Sequence, residues 1–141
     1  MRRITFETAK LARTIGFKES CFSYYSKDGV LHHPYLENGS STDTDFRVDL
    51  EDLLDNHNED YSNDYSAPYQ AELQEWLRNI HNIQVYASSG TIDGNGKYID
   101  YIYTINMNSS DHRDGYESYE DALDVGLLET LKLLKNAKSI H

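Results

Sequence analysis

Trp76, Arg78 and His81 fall close together in QEWLRNIH, and their side-chain types are the first in the chain to suggest chemistry. An imidazole beside a guanidinium, with an acidic residue near, can hold a phosphate or a carboxylate. No second positive cluster is tied to them by sequence, and no nucleophile accompanies them. The alternative is a helix fastened to a sheet, with His81 and Asn82 satisfying terminal carbonyls. A second group is Asp111, His112 and Asp114. Its histidine can act as acid, base or ligand near neutral pH. The spacing orients nothing, and the position before a helix start suits a turn. His32 and His33 are adjacent, so in an extended chain they point to opposite sides, which is poor geometry for a shared metal. Cys21 is a lone thiol in an apolar stretch and reads as packing. DNHNED lacks the glycine and closing glutamate of a calcium loop, and GTIDGNG lacks the spacing of a phosphate loop. Paired cysteines, HExxH and a nucleophile elbow are all missing from the sequence. The chain therefore names no catalytic residue, no cofactor and no metal.

The elements around these residues read more clearly. TFETAKLARTIGF is a helix capped by Thr5 and ended by Gly16, with Ile4, Thr8, Leu11 and Ile15 on its inner stripe. A strand over Cys21–Tyr25 then turns at Asp28-Gly29 into a second, over Val30–His33. Residues 36–65 form a polar, acidic excursion with one brief apolar signal, in which Val48 and Leu50 suit a short strand or Leu50, Leu53 and Leu54 a helical turn. SAPYQAELQEWLRNIH restores order as a helix, with Ser66 as its cap and Pro68 in its first turn. Tyr69, Leu73, Trp76, Leu77 and Ile80 form its apolar stripe, and Arg78 lies roughly opposite. Ile83, Val85 and Ala87 alternate with polar residues as a strand. A glycine-rich connection leads to KYIDYIYTINMN. There Tyr101 and Tyr103 share one face and Ile102 the other, so this strand is central or its tyrosine face meets a partner. Ser118 and Asp121 resemble a capping pair for a last helix. Its inner stripe is Ala122, Leu123, Gly126, Leu127, Leu131 and Leu134, with Gly126 permitting close packing on the sheet. The expected fold is α+β: one domain over 1–141, with an antiparallel sheet of about four strands and three main helices mostly on one face.

Charge narrows the partners. The 24 acidic residues outnumber the 13 basic ones, for a net charge of −11. That field repels phosphate backbones and anionic lipid. Nucleic-acid binding would need a local basic patch, for which Arg2, Arg3, Lys10 and Arg13 near one end and Lys132, Lys135 and Lys138 near the other are candidates if the termini meet. Residues 43–65 hold nine acidic residues and one basic one, a surface suited to a basic partner. No apolar run approaches the ~20 residues that would span a membrane. A single cysteine suits a reducing interior, and Glu7 and Lys10 interrupt the first apolar residues, unlike a secretion leader. A cytoplasmic location is the expectation.

ITFETAKLARTIGF, CFSYY, APYQAELQEWLRNIHNIQV and YESYEDALDVGLLETLKLL, in that order, resemble a family of small uncharacterised proteins from Bacteroides-related bacteria and their phages or integrated elements. This chain has Tyr69 where the family usually has threonine, and Glu120-Asp121 where a glutamate pair is frequent. The resemblance covers about half the chain, leaves the excursion aside, and implies a phage or mobile-element context without implying catalytic residues. The leading expectation is a small intracellular protein–protein interaction module, with homo-oligomerisation open. Exposed tyrosines would anchor the partner, and Tyr69, Arg78, His81, Tyr101, Tyr103, His112 and Arg113 are the candidate contacts. A nucleic-acid accessory role and a small enzyme with a His/carboxylate site are the alternatives.

Overall fold

A computed structural model describes residues 2–33, 56–58, 63–92, 94–96, 98–106, 108–109 and 115–140. The brief apolar signal at Val48–Leu54 and most of the acidic excursion lie outside the described residues. The architecture is α+β, and the chain divides into two compact units: Thr5–Pro68, and Tyr69–His141 together with Met1–Ile4.

In the first unit, helix α1 spans Phe6–Ile15. Thr5 caps it as expected, its hydroxyl accepting from the Thr8 N–H at 3.2 Å. Gly16 ends it in a left-handed conformation (φ 108°), a region closed to most side chains. The buried residues of α1 are Thr8, Ala9, Ala12 and Ile15. Leu11 is only half-buried, so the inner stripe is rotated toward Ala9. Strands β1 (Tyr24–Tyr25), β2 (Leu31–His32) and β3 (Tyr65–Ser66) make a small antiparallel sheet in the order β2-β1-β3. The Asp28-Gly29 turn joins β1 to β2, with Gly29 at φ 84°. The phenyl ring of Phe6 meets Tyr25 at 5.4 Å and Tyr65 edge-on at 5.7 Å, which seats α1 on the sheet. Asn58, buried, ties the unit together: its Nδ2 donates to the Phe17 carbonyl and its Oδ1 accepts from the Ser66 N–H, both at 2.9 Å.

In the second unit, α2 spans Gln70–His81. It starts later than a cap at Ser66 would place it. Ser66 is a strand residue whose hydroxyl accepts from the His57 N–H, so it is not available to a helix. Glu72 takes over, its carboxylate accepting from the Tyr69 N–H at 2.9 Å. Leu73, Trp76 and Leu77 are buried as the spacing predicts, but Ile80 is 62% exposed near the helix end. Strands β4 (Val85–Ile92) and β5 (Tyr98–Ile105) form an antiparallel hairpin, and the two-residue β6 (Asn108–Ser109) pairs on the far side of β5. Helix α3 (Tyr119–Ile140) lies across β4 and β5. Ser118 caps it, accepting from the Asp121 N–H at 3.0 Å. Gly126 sits directly on the Val85 and Tyr103 side chains. The buried Thr130 hydroxyl donates to the Gly126 carbonyl four residues back, so its burial leaves no donor unmade.

The expected single sheet of about four strands is not what the described strands form. Strands β1 and β2 run for only two residues each, and the free side of β1 is taken by β3 from the far side of the excursion. The second hairpin pairs instead with β6. The helices are likewise shared out, α1 with the first sheet and α3 with the second.

Candidate functional site

The predicted contact residues that the structure describes fall in different settings. His112 and Arg113, with Asp111 and Asp114, lie outside the described residues. Arg78 is exposed on α2. The His81 ring packs edge-on against Trp76, with centroids 4.7 Å apart and planes at 71°. That contact lies within α2 itself and neither joins the helix to the sheet nor satisfies a terminal carbonyl. Tyr69 is half-buried under Arg3, whose guanidinium carbon stands 3.8 Å from the ring centre. Tyr101 exchanges both backbone hydrogen bonds with Tyr116 at 2.9 Å, and the Tyr103 and Tyr116 rings lie 6.2 Å apart. Tyr101 and Tyr103 are half-buried, and β5 is a central strand: β4 and β6 flank it, and Ile102 and Thr104 are buried on its second face.

Several cations of the basic ends are engaged by their own neighbours. Arg2 pairs with Asp121 at 2.7 Å and Asp124 at 2.9 Å. Arg13 donates to the Asp64 carbonyl, Lys10 lies over Phe6 and Lys132 pairs with Glu129. Cations held this way offer little to a phosphate backbone.

Two places bring polar side chains together. In the first unit, Tyr24 is the middle of a row across the sheet. His32 stacks on it from β2 at 5.0 Å, and His57 stacks from the β3 side at 4.6 Å. The His57 ring Nε2 is 3.0 Å from the Cys21 carbonyl, and Ser23 Oγ is 2.6 Å from His33 Nδ1. Ser23 is fully buried, so this serine–histidine contact presents no accessible nucleophile. Among the described residues no group of three or more His, Cys, Asp or Glu side chains could hold a metal ion.

The second place is an open cleft of about 260 Å³ between the first turns of α2 and the start of α3. Arg2, Gln70, Ala71, Gln74, Tyr119, Glu120 and Leu123 line it. Gln70 is buried, and its Nε2 donates to the Glu120 carbonyl at 2.9 Å and to Asp124 Oδ1 at 2.6 Å. Asp124 thus serves two donors, Gln70 on one oxygen and Arg2 on the other. The Arg2 bond, followed by the Ser118 bond, holds the Asp121 carboxyl below its usual range, and the same carboxylates push the Arg2 guanidinium up. The arrangement can bind through hydrogen bonds and charge. Sequence reasoning placed Arg2 only in a candidate basic patch and passed over Gln70 and Gln74. The one signal was an acidic helix start in the same chain as an early arginine pair.

Comparisons with protein-family models, with curated proteins and with solved structures returned no match.

Proposed function

We propose that this chain is a recognition module that binds a basic partner protein. The observation that carries the reading is the setting of exposed apolar side chains in a strongly acidic chain. Ile80, Tyr86, Tyr119 and Leu133 in the second unit are each between 39% and 62% exposed, in a protein of net charge −11. Exposed aromatic and aliphatic residues supply contact area, while carboxylates select a partner of opposite sign and speed its approach. The reading includes action inside the cell, in the phage or mobile-element context that the sequence resemblance implies. Cys21, free and buried, is compatible with a reducing compartment. Fluorescence polarisation against lysine- and arginine-rich peptides, with glutamate-rich peptides of equal length beside them, tests it. The expected result is binding to the basic set alone, weakening as salt is raised. Equal binding to both sets, or to neither, overturns the reading.

A further inference from the structure

We infer that the cleft between α2 and α3 is a socket for one lysine or arginine side chain of a peptide; this rests on the basic-partner reading and names the chemistry of contact. Gln70 is only 5% exposed, and both its amide hydrogens are used, on the Glu120 carbonyl and on Asp124. Its Oε1 accepts no hydrogen bond from the described residues, yet it is not sealed from solvent. A buried carboxamide held by its nitrogen, with its oxygen unpaired in the wall of a cleft, is an acceptor open to an N–H donor. Gln74 is held more loosely: it is half-buried, its Nε2 donates to the Val85 carbonyl at 2.8 Å, and its oxygen accepts no hydrogen bond from the described residues. The cleft is thus lined by two glutamines whose amide oxygens accept no hydrogen bond from the described residues, together with Glu120.

Charge decides between a neutral donor and a cation. The start of α3 carries about half a positive charge from its backbone dipole, and Arg2 adds one. Three carboxylates, Glu120, Asp121 and Asp124, stand within the first two turns and outweigh both. An anion is therefore disfavoured where a bare helix start would attract one. The cleft, at about 260 Å³, lies below the ~300–1,000 Å³ of pockets for drug-sized molecules, which fits a single side chain. Leu123 and Ala71 give an apolar wall for a methylene stem, and the Tyr119 ring, 40% exposed, offers a face to the charged end. The chain itself already places guanidinium groups beside this surface, with Arg2 on Asp121 and Asp124 and Arg3 over Tyr69.

The test titrates the full chain with a short peptide carrying one central lysine, the same peptide with norleucine there, and n-butylammonium alone. The readouts are peptide fluorescence polarisation and the side-chain amide NMR signals of Gln70 and Gln74. The lysine peptide should bind and move both amide signals, and the norleucine peptide should do neither. Tyr119→Ala and Glu120→Gln should each weaken the lysine peptide by about three- to fivefold, the scale of one exposed cation–π contact or ion pair. Glu129→Gln removes the same charge from outside the lining and should leave binding within about twofold of the parent. If the parent chain binds no basic peptide, the recognition reading fails and the socket with it. If it binds but the three variants behave alike and the amide signals stay still, the socket is wrong and the broader reading survives. Movement with butylammonium but not with the lysine peptide would assign the cleft to a free amine and overturn the peptide occupant.

Discussion

Replacing Gly126 by alanine should destabilise the second unit, although alanine is the better helix former. A Cβ at this position would stand 2.9 Å from Tyr103 Cβ, and 3.1 Å from both Tyr103 Cγ and Val85 Cγ2. Non-bonded carbons rest at about 3.5–4.0 Å. Tyr103 Cβ is fixed to the backbone of β5 and cannot swing aside as the end of a flexible side chain would. Helix α3 must therefore lift from the sheet by about half an ångström or more, loosening the buried Leu123 and Leu127 beside it. Overpacking of this kind costs about 1–3 kcal/mol, and helix propensity returns up to about 1 kcal/mol. The net loss is then about 1 kcal/mol, which lowers a urea midpoint by about 0.5 M for a typical slope of ~2 kcal/mol/M. Trp76 is the only tryptophan, is 7% exposed and belongs to the same unit as Gly126, so its fluorescence reports the right transition. An unchanged or raised midpoint would refute the close approach of α3 to β4 and β5.

Three further outcomes follow from named contacts. Asn58→Ala removes both partners of the Phe17 carbonyl and Ser66 N–H bonds inside the first unit. It should cost about 1–3 kcal/mol per group left unmade, and the Ser66 amide should exchange hydrogen faster by NMR; unchanged exchange counts against the bond. Gly16→Ala should cost about 1 kcal/mol through backbone conformation alone, since φ is 108° and nothing lies within 4 Å of the added carbon. A thermal midpoint equal to the parent's would contradict it. The lowered Asp121 pKa, caused first by Arg2 and then by Ser118, gives stability that is present above the unfolded value of about 3.9. That stability is lost as pH falls through the lower folded value. Asp121→Asn should therefore lower the midpoint slightly at neutral pH, with the gap to the parent closing in strong acid; a gap that persists there refutes the assignment.

Local signals carried the elements well and their assembly poorly. Thr5, Gly16, Asp28-Gly29 and Ser118 act through bonds or dihedrals within a few residues, so their roles are written in short stretches of sequence. The faces of α3 and β4 follow from periods of 3.6 and 2, which the buried Ala122, Leu123, Leu127 and Leu131 and the buried Val85 and Ala87 obey. Ser66 shows where this stops. A serine before proline and a helix-like run is a good cap by pattern, and nothing nearby reveals that β1 will recruit it as a strand. Its hydroxyl and N–H are instead committed to His57 and Asn58. Once β3 fills the free side of β1, the pairing that would have merged the hairpins into one sheet is no longer open at that edge.

The cleft was hidden for a related reason. Its distinctive feature is the pairing of two carboxamides through their nitrogens, set for Gln70 by partners far along the chain. Gln70 turns its nitrogen to Asp124, 54 residues on, and Arg2 reaches Asp121 across 119 residues. In sequence, Gln70 and Gln74 are two ordinary polar positions on an amphipathic helix, indistinguishable from solvated ones. Burial changes the meaning of Gln70: a solvated glutamine rotates and satisfies either end with water, whereas Gln70, with both amide hydrogens engaged, has only its oxygen left. The three carboxylates are no more informative alone, because acidic residues at a helix start serve the dipole equally well. Only when Asp121 and Asp124 are seen to hold Arg2, and Asp124 also Gln70, does the acidic start of α3 become the frame of a donor-seeking cleft. Under the proposed socket, Glu120 lines the cleft and Glu129 does not, which is why Glu120→Gln and the equally charged change Glu129→Gln should part company.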